Sequence, residues 1–548
     1  MSVTADILDA LRAADPAPGG VPREYPLGAG LAARGVAFVA EERWERRWHE
    51  AIAELAECVR PVGGDPEPIL TEGGVYPGAW LESTATISAE VVDRFAPEVT
   101  RATHLRLARA QRDDGLLPYK VTDFGSGFSQ IQMVTPLARC VWRHHQATGG
   151  GDLAYLREMY RAMSRMDVWL SEHRDTRGSG GVEAFCTFDT GHDASPRFWF
   201  APNRCPDGDA AIFDGTVAGL PYIAPDLTAN VACQREHLGR ISAALGEAAA
   251  PWSQLAEGSW SALLARCCDG SDGLFYDLDA TESFVRVRSD VLMRVLACQP
   301  GARVDADALL ASQLMNTRGF LTPHGWTSIA LDDPRFNPDY QRNSWGGPIN
   351  MLTMLRAPDA FEGTSHVAEL ALVETGALAA LARADRFPQC LDPFSGDAGF
   401  TECYSPALLF FLDALERTCG ILPRPNGSVW LSALPPTRLT APDGPPPTWT
   451  GHTRRIRGTR YELACADDEA IATRDGELWL RWPRGWRVEL NRDGEVAAVT
   501  GLAATPVEGE LEIAGRVIPL ALVPNERVTL RDGAITGRAG ATFIPPQY

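Results

Sequence analysis

No stretch of eighteen or more apolar residues occurs in this 548-residue chain, so the sequence offers no membrane-spanning helix. Its start, MSVTADILDALRAADPAPGG, lacks a basic region followed by an apolar one, and a secretory signal is not expected. Paired cysteines are also missing. Apart from Cys267-Cys268 the twelve Cys stand singly, with no CxxC pair and no metal-ligand spacing. The expectation is reduced thiols packed as small hydrophobes, a cytoplasmic location, and neither a metal nor an organic cofactor. Positive charge is scarce too: 51 Lys and Arg stand against 71 Asp and Glu, a net charge of −20. A surface of that sign repels nucleic acid and anionic lipid, so neither a nucleic acid nor a membrane is expected as a partner.

What is present is an ordinary globular composition, 45% hydrophobic and 22% charged, on a chain long enough for a large core. From about residue 38 to residue 421, segments of helical apolar periodicity alternate with long Gly, Pro and Asp-rich loops. The periodicity predicts helices over 41–59, 87–111, 130–146, 153–170, 229–245, 252–267, 289–298, 365–384 and 405–415. Such spacing suits helical hairpins wrapped into a ring whose loops meet in a cleft. Residues 1–37 read as an N-terminal extension, and 422–450 as a Pro-rich linker containing PPPT at Pro445–Thr448. Over 451–548, short alternating runs (RYELAC, LWLRWP, WRVELN) separated by DG and NRDG turns predict a small antiparallel β domain without catalytic residues.

Two segments carry acids in suggestive settings. DTGHDASPR, Asp189 to Arg197, follows the apolar stretch VEAFCTF; an Asp-rich turn of this kind also serves as an ordinary helix N-cap. His192 within it reads as a cleft or core residue rather than a metal ligand. GFTECYSP, Gly399 to Pro406, places Glu402 just before an apolar helix, where the bland reading is an acid favoured by the helix dipole. Glycoside hydrolysis needs two carboxyls, one to protonate the leaving oxygen and one to activate water, and Asp193 with Glu402 supplies such a pair. Other segments mix aromatics with polar side chains, as a hydroxyl-rich ligand requires: GGVYPGAWLEST, QRDDGLLPYKV, GFSQIQ and RNSWGGPIN. The fifteen Trp suit such a cleft, although each taken alone is more often core.

In their order along residues 70–420, these motifs resemble bacterial members of glycoside hydrolase family 63 of the mannosylglycerate-hydrolase-like type, with more distant similarity to trehalases. Asp193 in DTGHDASPR matches the general acid of the family's ESGxDxSPR, with Asp189 in place of its Glu. Glu402 in TECYSP matches the base of its ExYxP. Trp80 and Glu82 in WLES resemble a sugar-contacting WDS segment, and Gln111–Pro118 resembles QxxDGxxP. Ser129-Gln130 resembles a TQPP-like helix start, Asp226–Ala229 a DLNA segment, and Ser344–Asn350 a YWRGPxW segment in which Gly346 replaces Arg.

The resemblance implies a mainly α protein, an (α/α)6 toroid carrying the C-terminal antiparallel β domain. It implies an inverting α-glycosidase acting on a small α-glucoside or α-mannoside, with Asp193 and Glu402 catalytic. Tyr76, Trp80, Glu82, Gln130, Asp189, Arg197, Trp345 and Gly347 are the expected substrate-binding residues, and a small carbohydrate is the expected partner. Two other classes stay open: a phosphorylase or isomerase on the same toroid, for which Arg197 and Arg342 offer basic groups, and a carbohydrate-binding protein with a dead site.

Overall fold

In the helix Glu42–Cys58 the buried residues are Trp44, Arg47, Trp48, Ala51, Ile52, Leu55 and Cys58, a single stripe at i, i+3, i+4 spacing. Helices of this kind have one wet face. Others have almost none: Pro225–Leu245 and Ser405–Cys419 are buried nearly all round. That contrast sorts the helices into two layers. The computed structural model describes residues 3–14, 21–247, 251–436 and 447–548, and holds fourteen α-helices among them.

Six inner helices contact one another in a closed order: Ser88–Val92, Leu137–Ala147, Pro225–Leu245, Val291–Ala297, Met351–Gly363 and Ser405–Cys419, the last touching the first. Around them lie Glu42–Cys58 against Ser405–Cys419, Leu153–His173 and Trp252–Arg266 against Pro225–Leu245, and Val367–Arg383 against Met351–Gly363. No described helix is long and apolar enough to cross a membrane.

The predicted helix over 87–111 is broken in two. Ser88–Val92 stops and Pro97–Arg109 begins afresh, because Pro97 has no N–H to continue the ladder and fits the first turn instead. The sequence pattern shows no helix over 351–363, where Pro358 interrupts the periodicity, yet Met351–Gly363 is helical and capped by the Asn350 side chain.

Antiparallel strands fill the C-terminal region in two sheets. One has six strands, from Ile421–Pro423 through Val429–Ala433 to Ala534–Ala539; the other has seven. Leu463, Trp482, Trp486, Val488, Leu511 and Val528 pack between them. The seventh strand comes from the other end of the chain: Ala37–Ala40 pairs with Thr450–Ile456, and the helix Val3–Ala13 packs Ile7, Leu8 and Leu11 onto the same sheet. The N-terminal segment is therefore part of the β layer. The segment read as a linker likewise holds a strand, Val429–Ala433, paired with Trp486–Leu490. Pro445 and Pro446 of the PPPT run lie outside the described residues.

Candidate active site

The loop bearing Asp193 is built from buried ion pairs. Asp189, fully buried, accepts hydrogen bonds from Arg174 (2.6 Å) and from the backbone amides of Phe185 (2.7 Å) and Ile131 (2.9 Å). Arg197 is clamped between Asp277 (2.6 Å) and Asp226 (3.0 Å), and Arg294 joins Asp226 to the carbonyl of Thr190. His192 faces Asp290 at 2.8 Å. These contacts tie the loop to the inner helices Pro225–Leu245 and Val291–Ala297. The expectation that Asp189 and Arg197 bind substrate is thereby corrected: their polar atoms are consumed in holding the loop. Gly347 is corrected likewise. Its N–H donates to Ser328 Oγ, and a Cβ would lie 2.4 Å from the Asn337 carbonyl, so close packing requires the glycine.

Asp193 itself opens into a cavity of about 200 Å³, where four of the inner helices, or the turns leading into them, begin. Tyr76, Trp80, Glu82, Gln130 and Trp345 line it too. Trp80 stands edge-on to Tyr76 (5.8 Å between ring centroids) and packs on Tyr119 (5.6 Å), with the Lys120 ammonium 4.8 Å from its face. Trp345, almost fully buried, backs onto His192, and the Asp193 carbonyl accepts its N–H at 2.9 Å. Gln132 donates to Glu82 at 2.5 Å, and Arg356 lies 3.6 Å from the same carboxylate. Gly191, with φ +65°, passes so close that a Cβ there would sit 2.5 Å from Glu82 Oε1. Trp80 Nε1 makes no hydrogen bond within the protein, and Glu82 Oε1 makes none beyond its ion pair with Arg356, which leaves a donor and an acceptor on the cavity wall for a ligand.

A relay of amides fixes the acid. Tyr76 donates to Gln389 (2.6 Å), Gln389 to Asn343 (3.2 Å), and Asn343 to the Asp193 carboxylate. Burial and the neighbouring Glu82 push the Asp193 carboxyl up to about 7, against the opposing pull of Asn343 and Arg204. Burial also raises Glu82, and lifts Glu72 to about 7 although Ser83 and Tyr404 hydrogen-bond to it. Three carboxyls thus share one small cavity and resist ionisation together.

Glu402 is not among them. It is exposed and lines a separate, shallower depression with Gly74, Val75, Phe400 and Thr401. Tyr76, packed against Phe400 and Tyr404, stands between the two. The expectation that Asp193 and Glu402 face each other across one cleft is corrected on this point. Thr401 and Cys403, on either side of Glu402, both have left-handed backbones (φ +62° and +47°).

Glu72, Gln132, Phe188, Arg204, Asn343, Gln389 and Tyr404 complete the lining. Gln132, Asn343 and Tyr404 fall within segments already singled out by their polar–aromatic character; Glu72, Arg204 and Gln389 carry no local signal. Among the described residues, Cys186, Asp189 and Cys205 have metal-like spacing, but Arg174 and backbone amides already occupy Asp189.

A family model for the mannosylglycerate hydrolase MGH1-like glycoside hydrolase domain matches residues 76–406. No functionally curated protein matches the chain in sequence. Among solved structures, the family 63 mannosylglycerate hydrolase from Thermus thermophilus in complex with glucose aligns at TM-score 0.56 and 18% identity, over 66% of this chain and 99% of that one. A sialidase aligns at TM-score 0.56 and 12% identity, over 89% of this chain and 44% of that one. Neutral trehalase from Saccharomyces cerevisiae aligns at 0.51 and 11%, over 64% and 74%. At these identities the likeness is one of fold, whereas the family model spans more than half of the chain. The protein belongs to the mannosylglycerate hydrolase MGH1-like family of glycoside hydrolases.

Proposed function

We propose that this protein is an inverting α-glycosidase on an (α/α)6 toroid, hydrolysing a small α-glucoside or α-mannoside with Asp193 as general acid. One observation carries the reading: Asp193 is buried in a polar–aromatic cavity beside Glu82, a setting that pushes its carboxyl up to about 7 and favours the protonated form a proton donor needs. Glu82 Oε1, Trp80 Nε1 and Gln130 are positioned to take sugar hydroxyls, and the Trp80 ring gives a flat face. Mannosylglycerate hydrolase binds D-glycerate as well as glucose. Here Arg204 on the cavity wall and Lys120 beside Trp80 suit an aglycone bearing a carboxylate. Phosphorolysis is less well served, since Arg197 is paired with Asp226 and Asp277, and Arg342 with Asp339.

By its match to the family's ExYxP, Glu402 in TECYSP is the first candidate for the base that activates water. Glu72 is the second reading, because it already lines the cavity with a carboxyl near 7. Kinetics separate them. Asp193→Asn is expected to lower kcat on a natural glycoside by roughly 10²–10⁴-fold and to recover much of that on an activated aryl glycoside. The base variant loses a comparable factor without recovery, and azide restores its rate with inverted product. If Glu72→Gln shows that pattern and Glu402→Gln does not, the base is Glu72. Full activity of Asp193→Asn on a natural glycoside would overturn the mechanism.

A further inference from the structure

Four inner helices, Ser88–Val92, Leu137–Ala147, Met351–Gly363 and Ser405–Cys419, begin beside the Asp193 cavity, and their later residues face the β layer. Between the two lies a cleft of about 960 Å³, lined by His144–Gly150 at the end of one inner helix, Asp359 and Arg417 from two others, and the turns at 424–428, 455–458 and 492. Nine arginines and four acidic residues line it, in a protein whose net charge is −20.

Five of the arginines have structural work. Arg94 is paired with Asp413 and Glu416, Arg143 with Glu90 and Asp359, Arg417 and Arg424 with Glu362, and Arg454 with Glu416. Cations near the ends of helices are expected there from the helix dipole. The lining acids are all engaged as well, Asp93 by His144 at 2.6 Å. Arg34, Arg455, Arg457 and Arg492 are different: none has a carboxylate partner among the described residues. Arg34 reaches only the Gly30 carbonyl, and Arg457 bridges the carbonyls of Gly427 and Arg492. A Cβ on Gly427 would lie 3.1 Å from Arg492 and 3.4 Å from Arg457, so both side chains converge on the same turn.

Burial is the main reason that Arg454 is lowered to about 10, against the pull of Glu416, with smaller contributions from Arg94 and Arg34. Burial likewise lowers Arg424, and Glu362 opposes it. The positive potential of the cleft rests on the four arginines that have no carboxylate partner.

We propose that this cleft binds a small phosphorylated metabolite, held by Arg455, Arg457 and Arg492 at its mouth and separate from the glycoside cavity. A guanidinium fork matches two phosphate oxygens, whereas one carboxylate is satisfied by a single arginine. Four unpaired guanidinia therefore call for several negative charges. The volume suits a sugar phosphate or nucleotide, within the roughly 300–1,000 Å³ usual for ligand pockets. A nucleic acid or other polyanion is disfavoured by the acid-rich remainder of the molecule.

Isothermal titration calorimetry of the full chain with inorganic pyrophosphate tests this. Saturable one-site binding below about 1 mM is expected, weakening with salt. Arg457→Ala combined with Arg492→Ala is expected to raise Kd by at least about tenfold. Arg531→Ala, an exposed arginine outside the cleft, leaves Kd unchanged. All four arginines lie at the surface or rim, and circular dichroism confirms that each variant is folded; Arg455→Ala read alone gives an independent value. Absence of saturable binding, an unchanged Kd in the double variant, or tighter binding to a DNA oligonucleotide than to pyrophosphate each overturns the proposal.

Discussion

At Asp193, burial and the Glu82 carboxylate disfavour the charged form, while Asn343 and Arg204 favour it. The balance predicts the pH profile. In the proposed role of general acid Asp193 must be protonated, so kcat/KM is expected to fall as pH rises through about 7. Glu72, also near 7, shares that titration, and the limb reports the coupled carboxyls. Asn343→Ala removes a hydrogen bond to the ionised form and shifts the limb upward. Glu82→Gln removes the like charge and shifts it downward. A limb unmoved by both changes would assign it to a group other than Asp193. Stability follows the same sign. The folded value lies above the ordinary 3.8, so the native state binds more protons than the unfolded chain between about pH 4 and 7. This contribution is present below pH 4 and lost as pH rises through 7. Asp193→Asn is therefore expected to have a higher thermal midpoint than the parent at pH 8, with the gap closing by pH 4. Differential scanning fluorimetry across pH measures it.

At the scale of elements, the site is a set of turns held at helix beginnings by packing that leaves no slack. Gly191 is the tightest point, since its φ of +65° and its distance to Glu82 both exclude a side chain. Gly191→Ala is expected to displace Glu82 and cost roughly 10²-fold or more in kcat/KM, as misplacement by about 1 Å does. Arg197 acts at one remove. Arg197→Ala strands Asp277 in the core, leaves Asp226 with Arg294 alone, and is expected to cost about 3–5 kcal/mol of stability, measured by denaturant unfolding. The Asp193 loop was legible as a motif because DTGHDASPR is contiguous, although its position depends on distant ion pairs to Arg174, Asp226, Asp277 and Arg294. The place of Glu402 outside the cavity was not legible, because it depends on how the segment 401–403 packs against the distant glycines Gly73 and Gly74. Periodicity found most helices, but it joined two across Pro97 and missed the one that contains Pro358, and the N-terminal helices Val3–Ala13 and Pro26–Arg34 went unread inside the extension.

Over the whole molecule, both ends of the chain meet in one β layer. Ala37–Ala40 completes the seven-stranded sheet, and Ile7, Leu8 and Leu11 cover part of it. A truncation removing residues 1–40 is expected to lower the thermal midpoint by more than about 5 °C and to promote association through the uncovered edge, read by light scattering. The sequence by itself determined what local chemistry can encode: a helical body, a β-rich C-terminal region, and an acid in a family motif with its aromatic and amide neighbours. Tertiary structure alone decided which carboxyls share the cavity, that Asp189 and Arg197 serve the scaffold, that the N-terminal segment belongs to the distant sheet, and that surplus arginines gather in one cleft. The physical reason is range. Propensity and periodicity act over a few residues, whereas burial, ion pairing and strand pairing join groups up to hundreds of residues apart, and their outcome is fixed only when the chain closes on itself.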